Sequence, residues 1–142
     1  MIRYLLDTNI ISEPARPDPN AAVVDRMDDR SGEVALSAPV WHELIYGVER
    51  MPEGKRRTYL ADYLTEVVRP SMPIIPYDCA AAHWHGTVRA ALEAQGRPQP
   101  FTDGQIAAVA ATRSLILITR NTPDFEPYAR VGDLHIENWF AA

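Results

Sequence analysis

The sequence predicts an α/β protein of three-layer α/β/α architecture, with a central, mainly parallel sheet of about five strands. Three observations point there. Short apolar runs alternate with segments of helical periodicity along all 142 residues, and continuous apolar strands belong to sheets covered on both faces. No low-complexity tract or long linker divides the chain, and its 12 prolines cluster at element boundaries such as RPDPN, RPSMP and RPQP. The length is that of one ordinary domain, so residues 1–142 are read as a single unit able to bury roughly two-thirds of its unfolded surface.

Taken in order, Ile2–Leu6 is the first strand, and it runs straight into Asp7-Thr8-Asn9. A carboxylate that finishes an apolar strand either starts a turn or helix or belongs to a site, because open α/β sheets bind ligands beyond the carboxyl ends of their strands. Asp18-Pro19 suggests a short helix start with proline in its first turn. Val34–Leu36 is the second strand, and Ser37 caps a helix in which Trp41, Leu44, Ile45 and Val48 form one apolar stripe. Glu43 lies off that stripe, beside Val40 and Gly47 in azimuth, where the glycine leaves room. Leu60, Leu64, Val67 and Val68 make a second stripe, and Ile74–Ile75 is the third strand. Asp78 caps a helix carrying Ala81, His85, Val88 and Leu92 on one face, which stops at Gly96 with Pro98 beyond. Thr102 is expected to cap the next helix, through IAAVAAT, with Asp103 in the first turn where the helix dipole favours negative charge. Leu115–Ile118 is the fourth strand and ends at Thr119, followed by Arg120-Asn121-Thr122-Pro123-Asp124-Phe125, where the ordinary reading of Asp124 is a loop acid after Pro123. Leu134–Ile136 is a weaker fifth strand.

If the strands are parallel, Asp7, Glu43, Asp103 and the acid of TRNTPDF all project toward one edge of the sheet. Each alone has an ordinary explanation as a turn, helix-start or solvated residue. Together they repel, by roughly 4 kcal/mol per pair about 4 Å apart at an effective dielectric of 20. Divalent cations remove that cost, and hard oxygen ligands suit Mg²⁺ or Mn²⁺.

Composition narrows the partners. A net charge of −5, from 14 Lys and Arg against 19 Asp and Glu, excludes a general basic coat for nucleic acid and leaves only local basic contacts. Lys55-Arg56-Arg57 reads as a solvated helix start, while Arg113 and Arg120 are the candidate phosphate contacts. The single cysteine, Cys79, allows no intrachain disulfide and fits a reducing cytoplasm. Apolar runs such as LILI fall far short of the roughly 20 residues that span a bilayer, and the N-terminus has no signal-peptide pattern. A cytoplasmic protein without membrane contact is expected. His42-Glu43 begins like HExxH, but Tyr46 stands where the second histidine should be. Cys79 and His83, four apart, read as a buried thiol and a packed histidine, since structural zinc takes about four ligands. His85, on the apolar stripe, is read as a core or interface residue.

Four segments, LLDTNIIS, HELIYGVERMPEGKRR, TDGQIAAVAA and ITRNTPDF, resemble a PIN domain and, more narrowly, the VapC-type toxins of bacterial toxin–antitoxin pairs. They span nearly the whole chain in the family's order. The resemblance implies an α/β/α nuclease whose acids hold Mg²⁺ or Mn²⁺ for RNA cleavage, with Asp7, Glu43 and Asp103 as the metal-binding residues. The fourth position falls in TRNTPDF, where Asn121 stands in place of the Asp of some members and Asp124 is the alternative. The catalytic set implied is therefore Asp7, Glu43, Asp103, Asn121 and Asp124, with hydroxyl support from Thr8 and Thr119. It also implies an endoribonuclease toxin with an RNA substrate and a VapB-type antitoxin, as a homodimer, or as a heterotetramer or larger assembly with antitoxin. Asn121 at the fourth position sustains a second reading, a catalytically silent PIN-like module that binds RNA or protein through the same groove.

Overall fold

Strands without polar alternation need cover on both faces, and these receive it. The computed structural model describes residues 1–140. Strands β1 (Tyr4–Leu6), β2 (Val34–Ser37), β3 (Ile74–Ile75), β4 (Ile116–Ile118) and β5 (Ile136–Glu137) form one sheet in the order β3-β2-β1-β4-β5. Every neighbouring pair is parallel. Leu5 lies opposite Ala35 on one side and Leu117 on the other, and Leu6 opposite Ile118; all of them are fully buried.

Eight helices complete the described residues: α1 (Thr8–Ile11), α2 (Ala21–Asp29), α3 (Ala38–Glu49), α4 (Lys55–Asp62), α5 (Arg69–Ser71), α6 (Cys79–Ala94), α7 (Phe101–Thr112) and α8 (Thr122–Gly132). Helices α6, α7 and α8 pack on one another, and α3 packs on α1 and α4. Helix α7 is buried along Gly104 and Ile106 to Ala110, and its small alanine side chains let neighbouring backbones approach. A helix apolar on all sides belongs inside a fold, and this one presents Asp103 from its first turn.

Several boundaries differ from those the sequence suggests. Pairing starts at Tyr4, not Ile2, because the Arg3 and Tyr4 N–H groups both donate to the Glu33 carbonyl. Leu134 turns into the core after left-handed Asp133 (φ 58°), so the last strand begins at Ile136. Ser37 and Asp78 cap as expected, accepting from Val40 N and Ala81 N. Asn20, not Asp18, caps α2, with its side chain accepting from Val23 N at 3.2 Å, and buried Glu13 accepts from Asn20 N at 2.7 Å. Thr102 is no cap: α7 starts one residue earlier, behind Pro100. Between α4 and α5 the backbone passes through a π-helical stretch, Tyr63–Val68. Its wider turn keeps Leu64 and Val68 buried but leaves Val67 52% exposed, against its expected place on the apolar stripe. The segment after β4 is not a loop but the start of α8, whose first turn tolerates Pro123.

This topology fixes where a site can form. The chain lays β2 and β3 on one side of β1, then crosses back to place β4 and β5 on the other. The connections therefore diverge at the carboxyl ends of β1 and β4, leaving a crevice there.

Candidate functional site

Asp7 stands at that crevice. Its N–H donates to Ile118 O at 2.9 Å, continuing the β1–β4 pairing, and its side chain is 6% exposed. The carboxylate accepts three hydrogen bonds: from Thr8 N at 2.8 Å on Oδ1, and from Thr119 Oγ1 at 2.8 Å and Asn9 Nδ2 at 3.3 Å on Oδ2. Thr119, at the end of β4, is fully buried and accepts in turn from Asn121 N at 3.1 Å. Asn9 Oδ1 accepts from Arg120 N at 3.0 Å. These bonds lock the two strand ends and their following helices into one frame. Burial pushes the Asp7 pKa up, the bonds from Thr119, Thr8 and Asn9 pull it down, and the charge of Asp124 pushes it up further.

The other acids arrive from three helices. Ser37, at the end of β2, caps α3 and so sets Glu43 beyond the sheet edge. Glu43 is exposed and accepts from Thr8 Oγ1 at 3.0 Å. A side chain at Gly47, one turn on, would meet nothing within 4 Å, so the space expected beside Glu43 exists. Asp103 is half-buried in the first turn of α7, and its pKa is pushed up to about 6, chiefly by burial, then by Asp7, Asp124 and Glu43. Asp124 is exposed in the first turn of α8. Asn121 occupies the residue before α8, and its side chain caps nothing.

Asp103 thus feels the charges of Asp7, Asp124 and Glu43, Asp7 feels that of Asp124, and Asp7 has no cationic partner among the described residues. The donor set is entirely oxygen, which suits a hard divalent cation. Among the described residues, no three acidic, imidazole or thiol side chains already enclose a cation-sized space. Closure would have to come from the two exposed acids, Asp124 and Glu43, the latter by giving up its bond from Thr8.

Several other candidates lie elsewhere or do other work. Arg113 ends α7 at the opposite edge of the sheet and pairs with Asp78 at 3.1 Å, so it is no phosphate contact at this crevice. Arg120 does sit at the site edge, its guanidinium 4.5 Å from the Phe140 ring centre. Lys55 is exposed, but the two arginines beside it are fasteners: Arg56 donates to Ala15 O at 3.0 Å, and Arg57 to Val48 O and Glu49 Oε2, each at 3.2 Å. Cys79 and His83 are both exposed on α6, contrary to the expected burial. His85 is buried as expected, with Nδ1 3.2 Å from Tyr77 Oη, and burial holds its pKa below the usual value. Asn9 was missing from the expected site. Its type and its place two residues after Asp7 were the available signal, since Asn side chains bond to nearby backbone.

Comparisons with known proteins agree with this fold. The PIN domain family matches residues 4–131. The tRNA(fMet)-specific endonuclease VapC of Shigella flexneri is 37% identical, over 98% of this chain and 99% of that protein. Toxin FitB of Neisseria gonorrhoeae is 39% identical, over 85% of this chain and 89% of its own. The crystal structure of FitAcB from Neisseria gonorrhoeae superposes with a TM-score of 0.87 at 34% identity, covering 98% of this chain and 99% of that one. DNA-bound VapBC from Salmonella typhimurium superposes with a TM-score of 0.80 at 30% identity, covering 98% and 99%. Sheet order, carboxylate edge and similarity along nearly the full length converge, and the chain belongs to the PIN-domain family, alongside the VapC- and FitB-type toxins.

Proposed function

We propose that this protein is a Mg²⁺- or Mn²⁺-dependent endoribonuclease, the toxin of a type II toxin–antitoxin pair. The observation that carries the reading is Asp103, pushed up to about 6 by burial and by the charges of Asp7, Asp124 and Glu43. Folds do not gather carboxylates in this way for stability, because each adds repulsion that packing does not offset. Asp7, Glu43 and Asp103 would hold the cation. When bound, it neutralises the scissile phosphate and acidifies the attacking water.

The chain's own residues do the rest. Three hydrogen bonds hold the Asp7 carboxylate in one orientation, and Thr8 ties Glu43 to the same strand end. Asp103 must ionise to hold the cation, so cation binding strengthens as pH rises through about 6. Asp124, exposed beside this group and felt by both Asp7 and Asp103, is placed to orient water or accept its proton. Asn121 contributes a backbone N–H to Thr119, a structural tie that leaves its side chain free.

The names of the relatives support RNA as substrate, and the Shigella flexneri protein makes transfer RNA the first to test. The likeness to FitAcB and to DNA-bound VapBC supports an antitoxin partner, with a toxin homodimer and larger assemblies with it. No helix among the described residues is long and apolar enough to cross a membrane. The deciding experiment incubates the purified protein with transfer RNA in Mg²⁺, with and without EDTA, beside Asp103→Asn. Cleavage by the unaltered protein that both EDTA and the substitution abolish is expected. Intact RNA under all conditions, with RNA still bound, would select the silent binding module that Asn121 at the fourth position allows.

A further inference from the structure

On the outer face of α3, His42, Tyr46 and Arg50 follow one another at single-turn intervals. Their side chains are exposed, Tyr46 to 58%, an unusual state for a large aromatic residue. The rings of His42 and Tyr46 lie 6.4 Å apart, and the Arg50 guanidinium rests 5.2 Å from the centre of the tyrosine ring. Arg50 is in no ion pair among the described residues, unlike Arg57 on the neighbouring helix, which is held by Glu49. These three side chains form one wall of a cleft of about 470 Å³, faced across the gap by Thr102 and Gln105 of α7. Thr8 and Glu43, bonded to each other at 3.0 Å, line the same cleft, which therefore adjoins the carboxylate site through Glu43. Gly47 keeps the near end open, since a side chain there would meet nothing and would instead project into the space.

We propose that this cleft is a nucleotide subsite: the base next to the cleaved phosphate stacks on Tyr46, and Arg50 contacts the adjoining phosphate. The proposal rests on the ribonuclease reading and deepens it, since it says how this chain holds unpaired RNA. Single-stranded RNA is gripped chiefly by base stacking on aromatic side chains together with cations that track the backbone. Both parts are present here, and the volume lies in the range of small-molecule sites. The need is physical. With a net charge of −5 and four acids at the edge, phosphate is repelled from the place where it must be cut. Arg120 rests on the Phe140 ring and does not line the cleft, and among the described residues that do, Arg50 is the one guanidinium or ammonium group. Stacking is tolerant of base identity, so the subsite secures the strand while other contacts choose the sequence.

The test uses the full chain carrying Asp103→Asn, which binds without cutting, and a fluorescently labelled pool of unpaired RNA roughly a dozen nucleotides long. Tyr46→Ala should weaken binding roughly 10- to 100-fold, whereas Tyr46→Phe, which keeps the ring, should stay within about threefold. Arg50→Gln should lower the slope of log affinity against log salt by about one. Light scattering should give the same mass for all four proteins. Unchanged affinity in Tyr46→Ala overturns the subsite, and so does equal loss in Tyr46→Ala and Tyr46→Phe. A change of mass in Tyr46→Ala would also overturn it, by making this face a contact between copies of the chain. The ribonuclease reading fails by a different sign: the protein with Asp103 intact cuts no RNA, whatever residue stands at position 46.

Discussion

At Asp103 the carboxyl keeps its proton until pH reaches about 6, because burial and the charges of Asp7, Asp124 and Glu43 all oppose ionisation. Below its ordinary value of 3.8 the group is neutral in folded and unfolded states alike, so the penalty is absent. Between those values the folded protein holds a proton that the unfolded chain has released, and stability falls as pH rises. Above about 6 the penalty is complete. Without divalent cation, Asp103→Asn should therefore raise the melting temperature at pH 7 by roughly 2–4 °C, allowing for solvent screening of a half-exposed group. It should leave the melting temperature at pH 4 unchanged and abolish cleavage; a loss of stability at pH 7 would contradict the crowding. Asp124→Ala should cost about 100-fold in cleavage rate and Asn121→Ala less than about tenfold, because only the aspartate adds charge that Asp7 and Asp103 feel. The reverse ranking, read from initial rates, would move the fourth position to Asn121. Thr119→Val would strip a buried hydrogen bond from Asp7 and leave Asn121 N–H without its acceptor. A loss of about 1–3 kcal/mol in urea unfolding is expected.

Among the elements, α7 decides where Asp103 stands, and its position is set by one close contact. A Cβ on Gly104 would come within 2.0 Å of Nε2 of His85. His85 cannot step aside, because it is buried, bonded to Tyr77 and packed against Phe101, with ring centres 5.0 Å apart. Gly104→Ala should thus push the start of α7 outward, costing about 2–3 kcal/mol and reducing cleavage through the displaced Asp103. Adding His85→Ala should recover part of both losses, and the coupling from a double-mutant cycle reports the contact directly. Purely additive losses would show that the glycine matters for some other reason. Helix α8 works similarly at the other side: its start is tied to β4 through Thr119, and β4 to β1 through Asp7. Three helices and one strand end converge because each begins just beyond the same edge of a parallel sheet.

For the whole molecule, repulsion within the crevice and the proposed cation binding are two faces of one balance. A cation that binds only the folded chain stabilises it by mass action, by about 2.7 kcal/mol at a hundredfold excess over its dissociation constant. Mg²⁺ or Mn²⁺ should accordingly raise the melting temperature by roughly 5–10 °C at pH 7. The shift should shrink at pH 5, where Asp103 retains its proton, and in Asp103→Asn. A shift that ignores both changes would place the cation elsewhere. The antitoxin reading is tested with the product of the neighbouring open reading frame, which should bind the protein and suppress its RNA cleavage. A neighbour that does neither counts against the toxin role while leaving the nuclease chemistry standing.

Much of this protein is determined locally, and that part is legible in the sequence. Apolar runs such as Leu5-Leu6 and Leu117-Ile118 must be buried on both faces, which dictates a covered parallel sheet. Ser37, Asp78 and Gly96 mark helix ends through bonds and backbone angles made within a few residues of themselves. The acids Asp7, Glu43 and Asp103 stand out because each follows such a signal. What only the tertiary structure decided lies between segments far apart in the chain. Thr119 reaches Asp7 across 112 positions, Asn9 accepts from Arg120, and Arg113 is carried to the wrong edge because α7 runs away from the site. The start of α8 was hidden because Pro123 breaks helices in general but suits a first turn. Val67 faces solvent because a π-helical turn, set by packing of the whole segment, shifts the helical period. The pKa of Asp103 is decided in the same way, since no spacing along a chain states how deeply a carboxyl is buried or which charges face it.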